Sequence, residues 1–414
     1  MSEKFTDFFQ VKPREAVEEL IESLLSPLEA ETVSLAQALD RFSAESLSAP
    51  SSLPPFSRST VDGYAVKSRD TFGASEGFPA MLKVSGTIAM GSLPEKSLKQ
   101  GEAMAIPTGG ALPDGADAVV MVEHTESPDP DFVEIYRPAS PLENVVQAGE
   151  DIREGSPVLE KGQKIRPQEL GLLAALGITR VSVTRKPIVG VISTGNEIVP
   201  PDAAPLPGQI RDVNRFLLQG LIERNGGEAR FIALVPDDEA TLKKACEEGL
   251  ANCDLLLLSG GSSVGTRDLT LKVLESFPGF ELLVHGVAVS PGKPTLLVKV
   301  GEKVVFGLPG HPVSTWVIAH LFVTKALTSL LGASESPALV WERAVVRGNI
   351  PSAQGREDFV RAKVTGKGRD KTATPIFSKS GIISSLVAAN ALIQIPLNSE
   401  GVYKGDEVDI LMLL

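Results

Sequence analysis

The sequence predicts an α/β protein of several domains, with a mostly parallel sheet covered by helices on both faces, in three layers, at its centre. Three observations lead there. From Pro187 onward, apolar runs alternate with helical stretches: PIVGVIS, a helix around 210–224, FIALV, a helix from about Glu239, DLLLLS, a helix near 268–276, then ELLVHGVAV. This is how parallel strands joined by crossover helices read. At 414 residues the chain is also too long for one hydrophobic core. Finally, the composition changes at four Pro-, Ser- or Gly-rich stretches, residues 47–59, 125–131, 200–208 and 332–338.

Taken in order, residues 14–42 read as helix, with Val17, Leu20, Ile21, Leu24 and Leu25 on one face. Residues 78–136 are short, valine-rich and punctuated by Gly and Pro, which predicts a small β domain. QELGLLAALG at 168–177 returns to helix and stops at a glycine, so the leading domain is expected to be interrupted by the β insertion. In the central part, Val213, Phe216, Leu217 and Leu221 form one helical stripe, and Leu242, Ala245, Cys246 and Leu250 another. Past Ser336 the runs are short and turn-bounded, as in a β domain of about 80 residues. The expected division is therefore residues 1–46 with 154–186 as a discontinuous helical and mixed domain, 47–153 as a β-rich insertion, 187–334 as the α/β domain, and 335–414 as a C-terminal β domain.

Charge and composition narrow the function. The net charge is -12 and no Lys/Arg run is present, so a nucleic-acid partner is not expected. The first ten residues, MSEKFTDFFQ, carry no apolar leader, and the apolar stretch over 314–332 is broken by His320 and Lys325, so no membrane association is expected either. Two cysteines, Cys246 and Cys253, fit neither a disulfide framework nor a zinc site and suit a reducing cytoplasm. With four histidines, none paired at a ligand spacing, any metal would need oxygen ligands.

In an open α/β sheet the ligand sits beyond the carboxyl ends of the strands. DLLLLS runs into Gly260, Gly261, Ser262, Ser263, Val264 and Gly265, where bare backbone and hydroxyls suit phosphate oxygens. PIVGVIS runs into Thr194, Gly195, Asn196 and Glu197, and VVFGLP into Pro309, Gly310, His311, Pro312, Val313 and Ser314. A single Gly-rich loop can be a plain turn, but three strand ends of this kind point to a site. Glu197 and Asp268 beside a phosphate cradle would repel an anion unless a cation lay between them, and hard carboxylate oxygens suit Mg²⁺. Asp268 also fits the first turn of a helix, where a carboxylate is stabilised in any case.

The chain also carries PPFSRSTVDGYA at 54–65, IPTGGALPDGADAVVMVE at 106–123, AGEDI at 148–152, STGNEIVPP at 193–201 and PGQIRDVN at 207–214. SGGSSVGTRD at 259–268, SPGKP at 290–294, LPGHPVS at 308–314 and SKSGIISSL at 378–386 follow. In this order and over nearly the whole chain, they resemble the molybdopterin molybdenumtransferases, the MoeA and gephyrin E-domain family. The resemblance implies a central molybdopterin-binding domain in a four-domain, elongated homodimer. It implies an Mg²⁺-dependent enzyme that takes adenylylated molybdopterin and molybdate, releases AMP and leaves molybdenum cofactor, in contact with other molybdenum-cofactor biosynthesis proteins. Two other readings accompany it: the preceding adenylyltransferase step, which resembles the α/β domain alone, and a gephyrin-like scaffold.

Carried over residue by residue, Asp62, Asp151, Glu197, Asp237 and Asp268 match the family's functional acids, with Glu197 and Asp268 as the Mg²⁺ ligands and Asp237 or Asp238 close by. Asp62 and Asp151 would reach the cleft from the partner subunit. Thr108, Lys293 and Ser380 match positions that contact phosphate or oxyanion, and Arg356 and Arg361 match a basic C-terminal motif. Three departures stand out. Ser290 occupies a position where the family often has Lys, His311 one where Asn is frequent, and Asn196 one where Asp is usual.

Overall fold

The computed structural model describes residues 11–260, 264–334 and 339–413; the side chains of 264–268 and of 369 fall outside that description, as do Gly261, Ser262 and Ser263 altogether. The predicted helix over 14–42 is shorter than its sequence suggests. Helix α1 (Arg14–Leu24) is followed by strand β1 (Ala30–Ser34) and a four-residue helix, Leu35–Ala38. Pro27 lies in the break, and Pro cannot donate the next helical hydrogen bond. The apolar face of α1 does not pack on the segment that follows it. Val17 and Ile21 are buried in one cluster with Leu327 and Leu330, so α1 contributes to the central core.

The inserted sheet has β2 (Gly63–Val66), β3 (Ala80–Thr87), β4 (Glu102–Ile106), β5 (Ala118–Met121), β6 (Thr125–Asp129) and β7 (Phe132–Ile135), in the order β5-β2-β4-β3-β7-β6. After it come α2 (Pro167–Ala175) and β8 (Arg180–Thr184), and β8 pairs antiparallel with β1, Val33 opposite Val181. The chain thus leaves and re-enters one body around the insertion. Helix α2 starts at Arg166-Pro167, where the Glu169 carboxylate accepts the Arg166 amide at 2.9 Å, a capping arrangement that satisfies a helix-end donor.

The central body contains β9 (Ile188–Thr194), α3 (Asn214–Arg224), β10 (Glu228–Val235), α4 (Glu239–Asn252), β11 (Leu255–Gly260), α5 (Val264–Glu275), β12 (Phe280–His285), β13 (Val289–Ser290), β14 (Leu296–Val300), β15 (Lys303–Leu308), α6 (Pro312–Ile318) and α7 (Thr324–Leu331). Its sheet order is β10-β9-β11-β15-β14-β12; the first four strands run parallel, and β14 and β12 are antiparallel additions. One face buries Val189, Val191, Leu257 and Phe306 under α1, α3, α6 and α7, and the other buries Ile192, Leu256, Leu258 and Val305 under α4 and α5. These are the three expected layers.

The stripe predicted for α3 is out of phase. Asn214, Leu218, Leu221 and Ile222 face the core, while Phe216 is exposed beside the Arg215 guanidinium, 5.1 Å from its ring centroid. The stripe on α4 holds, with Leu242, Ala245 and Cys246 buried. Pro312–Leu331 is long and apolar enough to cross a membrane, but 78% of that window is buried within the protein, as befits a core helix.

The C-terminal body has β16 (Val340–Val346), β17 (Glu357–Thr365), β18 (Thr372–Pro375), β19 (Ala391–Ile395) and β20 (Glu407–Met412). Its sheet runs β13-β17-β18-β16-β20-β19, and a further β17 to β19 pairing closes the ring. Strand β13 belongs in sequence to the central body, yet it pairs with β17, Val289 opposite Glu357 and Ser290 opposite Asp358.

Candidate active site

The chain runs from β9 out to β10 and then back across to β11, so the connections reverse between β9 and β11. Open α/β sheets bind ligands at such a switch point, beyond the carboxyl ends of the strands. Thr194 and Gly260 end those two strands opposite each other. A Cβ at Gly260 would lie 2.0 Å from the Thr194 carbonyl oxygen, and its φ is 146°, so only glycine fits there.

Asp237, just past β10, accepts a hydrogen bond from the Thr194 hydroxyl at 2.9 Å. Asn196 and Asp237 are reciprocal partners. The Asn196 amide donates to Asp237 Oδ2 at 3.4 Å, and the Asp237 amide donates to Asn196 Oδ1 at 3.1 Å. The structure thus gathers Thr194, Gly195, Asn196 and Asp237 at one rim, with an exposed Glu197 next in sequence. Asp238 instead caps α4: the Thr241 hydroxyl and amide bond its carboxylate and hold it below the usual carboxylate range.

Among the described residues the Asp237 carboxylate is bonded by the Thr194 hydroxyl and the Asn196 amide, and no ion pair with Lys or Arg involves it or Glu197. Carboxylates left without a cationic side chain beside an open strand-end rim have the donor chemistry a hard divalent ion takes. No group of three His, Cys, Asp or Glu suited to a metal occurs among the described residues, while Gly261, Ser262 and Ser263 lie outside them, together with the side chain of Asp268.

Sequence reasoning missed the polar residues beneath this rim. The Asn214 amide donates at 2.8 Å both to Ser259 Oγ and to the Gly310 carbonyl, tying the ends of β11 and β15 to the start of α3. Asn214 Oδ1, Asp212 Oδ2 and Ser193 Oγ are buried without a hydrogen-bond partner among the described residues, which puts unsatisfied polar atoms beneath the rim. PGQIRDVN contained the signal, an Asp and an Asn bracketing a helix start.

Across the loop after β15, the Ser380 carbonyl accepts the Val313 amide at 3.1 Å, and Ser380 Oγ lies 3.1 Å from His311 Nδ1. The residue that departs from the family pattern, His311, therefore makes a contact to the C-terminal body. Ser314 is buried in the first turn of α6, and the Pro309 carbonyl accepts the Thr315 hydroxyl. Lys293, Ser290 and Gly292 share a cavity of about 420 Å³ with Val11 and Arg356. A neighbouring cavity of about 270 Å³ has Ser290, Arg356, Arg361, Ser378 and Ser380 in its wall. Arg356 also pairs with Asp358, Nε to Oδ1, at 3.3 Å. Buried Arg361 donates to Ser385 Oγ at 2.8 Å and to the carbonyls of Ser378 and Lys379, and burial pushes its guanidinium pKa down.

Asp62 and Thr108 meet each other instead. The Thr108 amide donates to Asp62 Oδ1 at 2.7 Å at an exposed tip of the inserted sheet. Gly63 follows because a Cβ there would sit 1.9 Å from the Val120 carbonyl oxygen. Asp151 is exposed where Leu53 and Ile152 pair. Among the described residues, no hydrogen bond or ion pair joins Asp62, Thr108 or Asp151 to the central strand ends.

Comparison with known proteins matches this arrangement from end to end. Residues 11–177 match the MoeA N-terminal region (domains I and II), 190–329 the model described as "Probable molybdopterin binding domain", and 343–413 the MoeA C-terminal region (domain IV). The chain belongs to the MoeA family. A molybdopterin molybdenumtransferase of Bacillus subtilis is 34% identical over 389 residues, covering 93% of this chain and 90% of the relative. One from Staphylococcus aureus is 33% identical over 401 residues, covering 96% and 94%. The crystal structure of a MoeA molybdopterin biosynthesis protein from Pyrococcus horikoshii superposes with a TM-score of 0.85 at 38% identity, over 98% of this chain and 100% of that one. The MoeA architecture is therefore the fold observed.

Proposed function

We propose that this chain is a molybdopterin molybdenumtransferase that takes adenylylated molybdopterin and molybdate and yields molybdenum cofactor and AMP. Its membership of the MoeA family shows a role in molybdenum cofactor biosynthesis, in an enzyme family whose named relatives are transferases. The observation that carries the finer reading is the meeting of Lys293 and Arg356, from two different bodies, around one cavity. Two cations and a serine hydroxyl suit a small tetrahedral oxyanion, and Arg presents a donor fork to such oxygens.

In this reading the rim of Thr194, Gly195, Asp237 and Gly260, together with Gly261, Ser262, Ser263 and Gly265 of the sequence motif, takes the adenylate phosphates, while Lys293, Arg356, Ser290 and Ser380 hold the oxyanion. Glu197 and Asp268 would hold Mg²⁺, which supplies charge neutralisation for phosphate when bound. The protein's part is then to fix two anions close together, so that proximity and electrostatic stabilisation provide the rate. Asp62, Thr108 and Asp151, distant in contact terms from the central strand ends, act from the second subunit of a homodimer in the cytoplasm.

The test is AMP release from adenylylated molybdopterin on addition of molybdate and Mg²⁺. An inert chain under these conditions removes the transferase reading. Production of the adenylate from ATP and molybdopterin would instead assign the preceding step.

A further inference from the structure

The short segment ahead of α1 is attached to both walls of the Lys293 and Arg356 cavity. On the central side, the Lys12 amide donates to the Gly286 carbonyl at 3.1 Å and the Ala288 amide donates to the Lys12 carbonyl at 2.8 Å. Val11 itself lines the cavity. On the C-terminal side, Arg14 Nε donates to Glu357 Oε2 at 2.8 Å, and the two side chains are only 14% and 6% exposed.

Glu357 is the residue after Arg356 and the one opposite Val289, and its amide donates to the Ala288 carbonyl at 2.8 Å. The same Glu357 oxygen accepts from Gln394 Nε2 at 3.1 Å. Residues 286–290 lead directly into the turn that carries Lys293. Lys12 therefore grips residues 286–288, just ahead of β13, and Arg14, the first residue of α1, grips Glu357 at the start of β17; the continuations of both segments carry the cavity's cations. Arg14 is itself held by Glu18 at 2.8 Å and lies 5.9 Å from the Trp341 ring centroid. Its position is thus set by α1 and by β16.

We propose that Arg14 is a positioning residue for the oxyanion: by anchoring Glu357 to the segment that pairs with residues 286–288, it fixes the separation of Lys293 and Arg356. This rests on the oxyanion reading of the cavity. Arg14 touches no substrate, and its effect passes through β17. The guanidinium is suited to the task because its rigid plane presents Nε to Glu357 and Nη1 to Glu18 in fixed directions, whereas an ammonium's three donors share one point on a flexible stem. A small displacement of one cation in a two-point clamp is costly, since sub-ångström placement governs how well charged groups meet their ligand.

The experiment compares wild type, Arg14→Lys, Arg14→Gln and Glu18→Gln in the full chain, by molybdate binding in calorimetry and by steady-state kinetics with each substrate varied. Arg14→Gln is expected to raise the KM and Kd for molybdate about tenfold while kcat and the KM for adenylylated molybdopterin stay within about twofold. Arg14→Lys should fall between it and wild type, and Glu18→Gln, which removes one anchor of Arg14 but leaves its bond to Glu357 in place, should shift molybdate affinity by less than Arg14→Gln does. A lowered melting temperature in Arg14→Gln with unaltered molybdate affinity overturns the proposal. If Arg14→Gln does not fold, unchanged molybdate affinity in Arg14→Lys overturns it equally. A wild-type chain that binds no molybdate sinks the oxyanion reading, and this inference with it.

Discussion

Thr194 Oγ1 donates to Asp237 Oδ1 at 2.9 Å, adding a bond between side chains to the backbone ladder at the ends of two neighbouring parallel strands. Thr194→Val keeps the shape and removes the donor, so it is expected to lower stability by about 1 kcal/mol. It should also weaken AMP binding, because Asp237 loses one of the two bonds that orient it. Thr194→Ser should leave both properties near wild type. Chemical denaturation and AMP titration read the two effects separately; equal AMP affinity in all three proteins would remove Asp237 from the nucleotide rim.

Gly260→Ala places a methyl group against the Thr194 carbonyl and forces a residue with a side chain into a glycine backbone region. Backbone strain of this kind costs about 1–3 kcal/mol, before any shift of β9 is counted. Gly220→Ala is the control, since nothing lies within 4 Å of its Cβ position in α3. There the change should be neutral or stabilising, by up to about 1 kcal/mol. The urea midpoint should fall for Gly260→Ala and hold or rise for Gly220→Ala.

Burial pushes His320 down to about 4, with the Arg224 charge a smaller cause; it is 5% exposed and stacks on Trp316 at a centroid distance of 5.4 Å. The folded protein keeps this ring neutral, whereas the unfolded chain protonates it at its ordinary value. Below that value the unfolded state binds more protons. Stability is therefore full near neutral pH and declines as pH falls from about 6.5 to about 4, by up to about 3 kcal/mol. His320→Gln should flatten that slope in denaturation curves taken across this window. Glu169, drawn to about 2 first by its bond from Arg166, contributes stability that disappears lower still, as pH falls from about 4.5 toward 2.

Removing the divalent ion should weaken AMP binding about tenfold or more, since uncompensated carboxylates then face the phosphate. If Glu197 holds the ion as proposed, Glu197→Gln should weaken AMP binding measured in Mg²⁺ and strengthen it in EDTA, where the change removes a charge that repels the phosphate. Equally tight AMP binding with and without the metal contradicts the assignment of Glu197.

Much of the centre was readable because its signals are local. Strand ends followed by Gly and hydroxyl residues gave Thr194, Gly195 and Gly260 their places, and the periodicity of 239–252 gave Cys246 its buried one. Burial pushes that thiol up to about 12, in keeping with packing rather than chemistry. What was not readable depends on tertiary partners. The apolar face of α1 was visible, but its packing with Leu327 and Leu330 was not. In α3 an amphipathic stripe was assigned one position out, because Asn214 takes a core-facing place to bond Ser259 and Gly310 while Phe216 stays outside. Two residues, Val289 and Ser290, are too few to announce a strand by alternation.

That two-residue strand makes the central and C-terminal bodies poor candidates for separate existence. A fragment beginning after residue 338 would lack the neighbour of Glu357 and Asp358, leaving bare amides and carbonyls along a border that invites self-association. Genetic shuffling that traded one body for a homologous cassette would also have to match this stitch, or inherit an insoluble half.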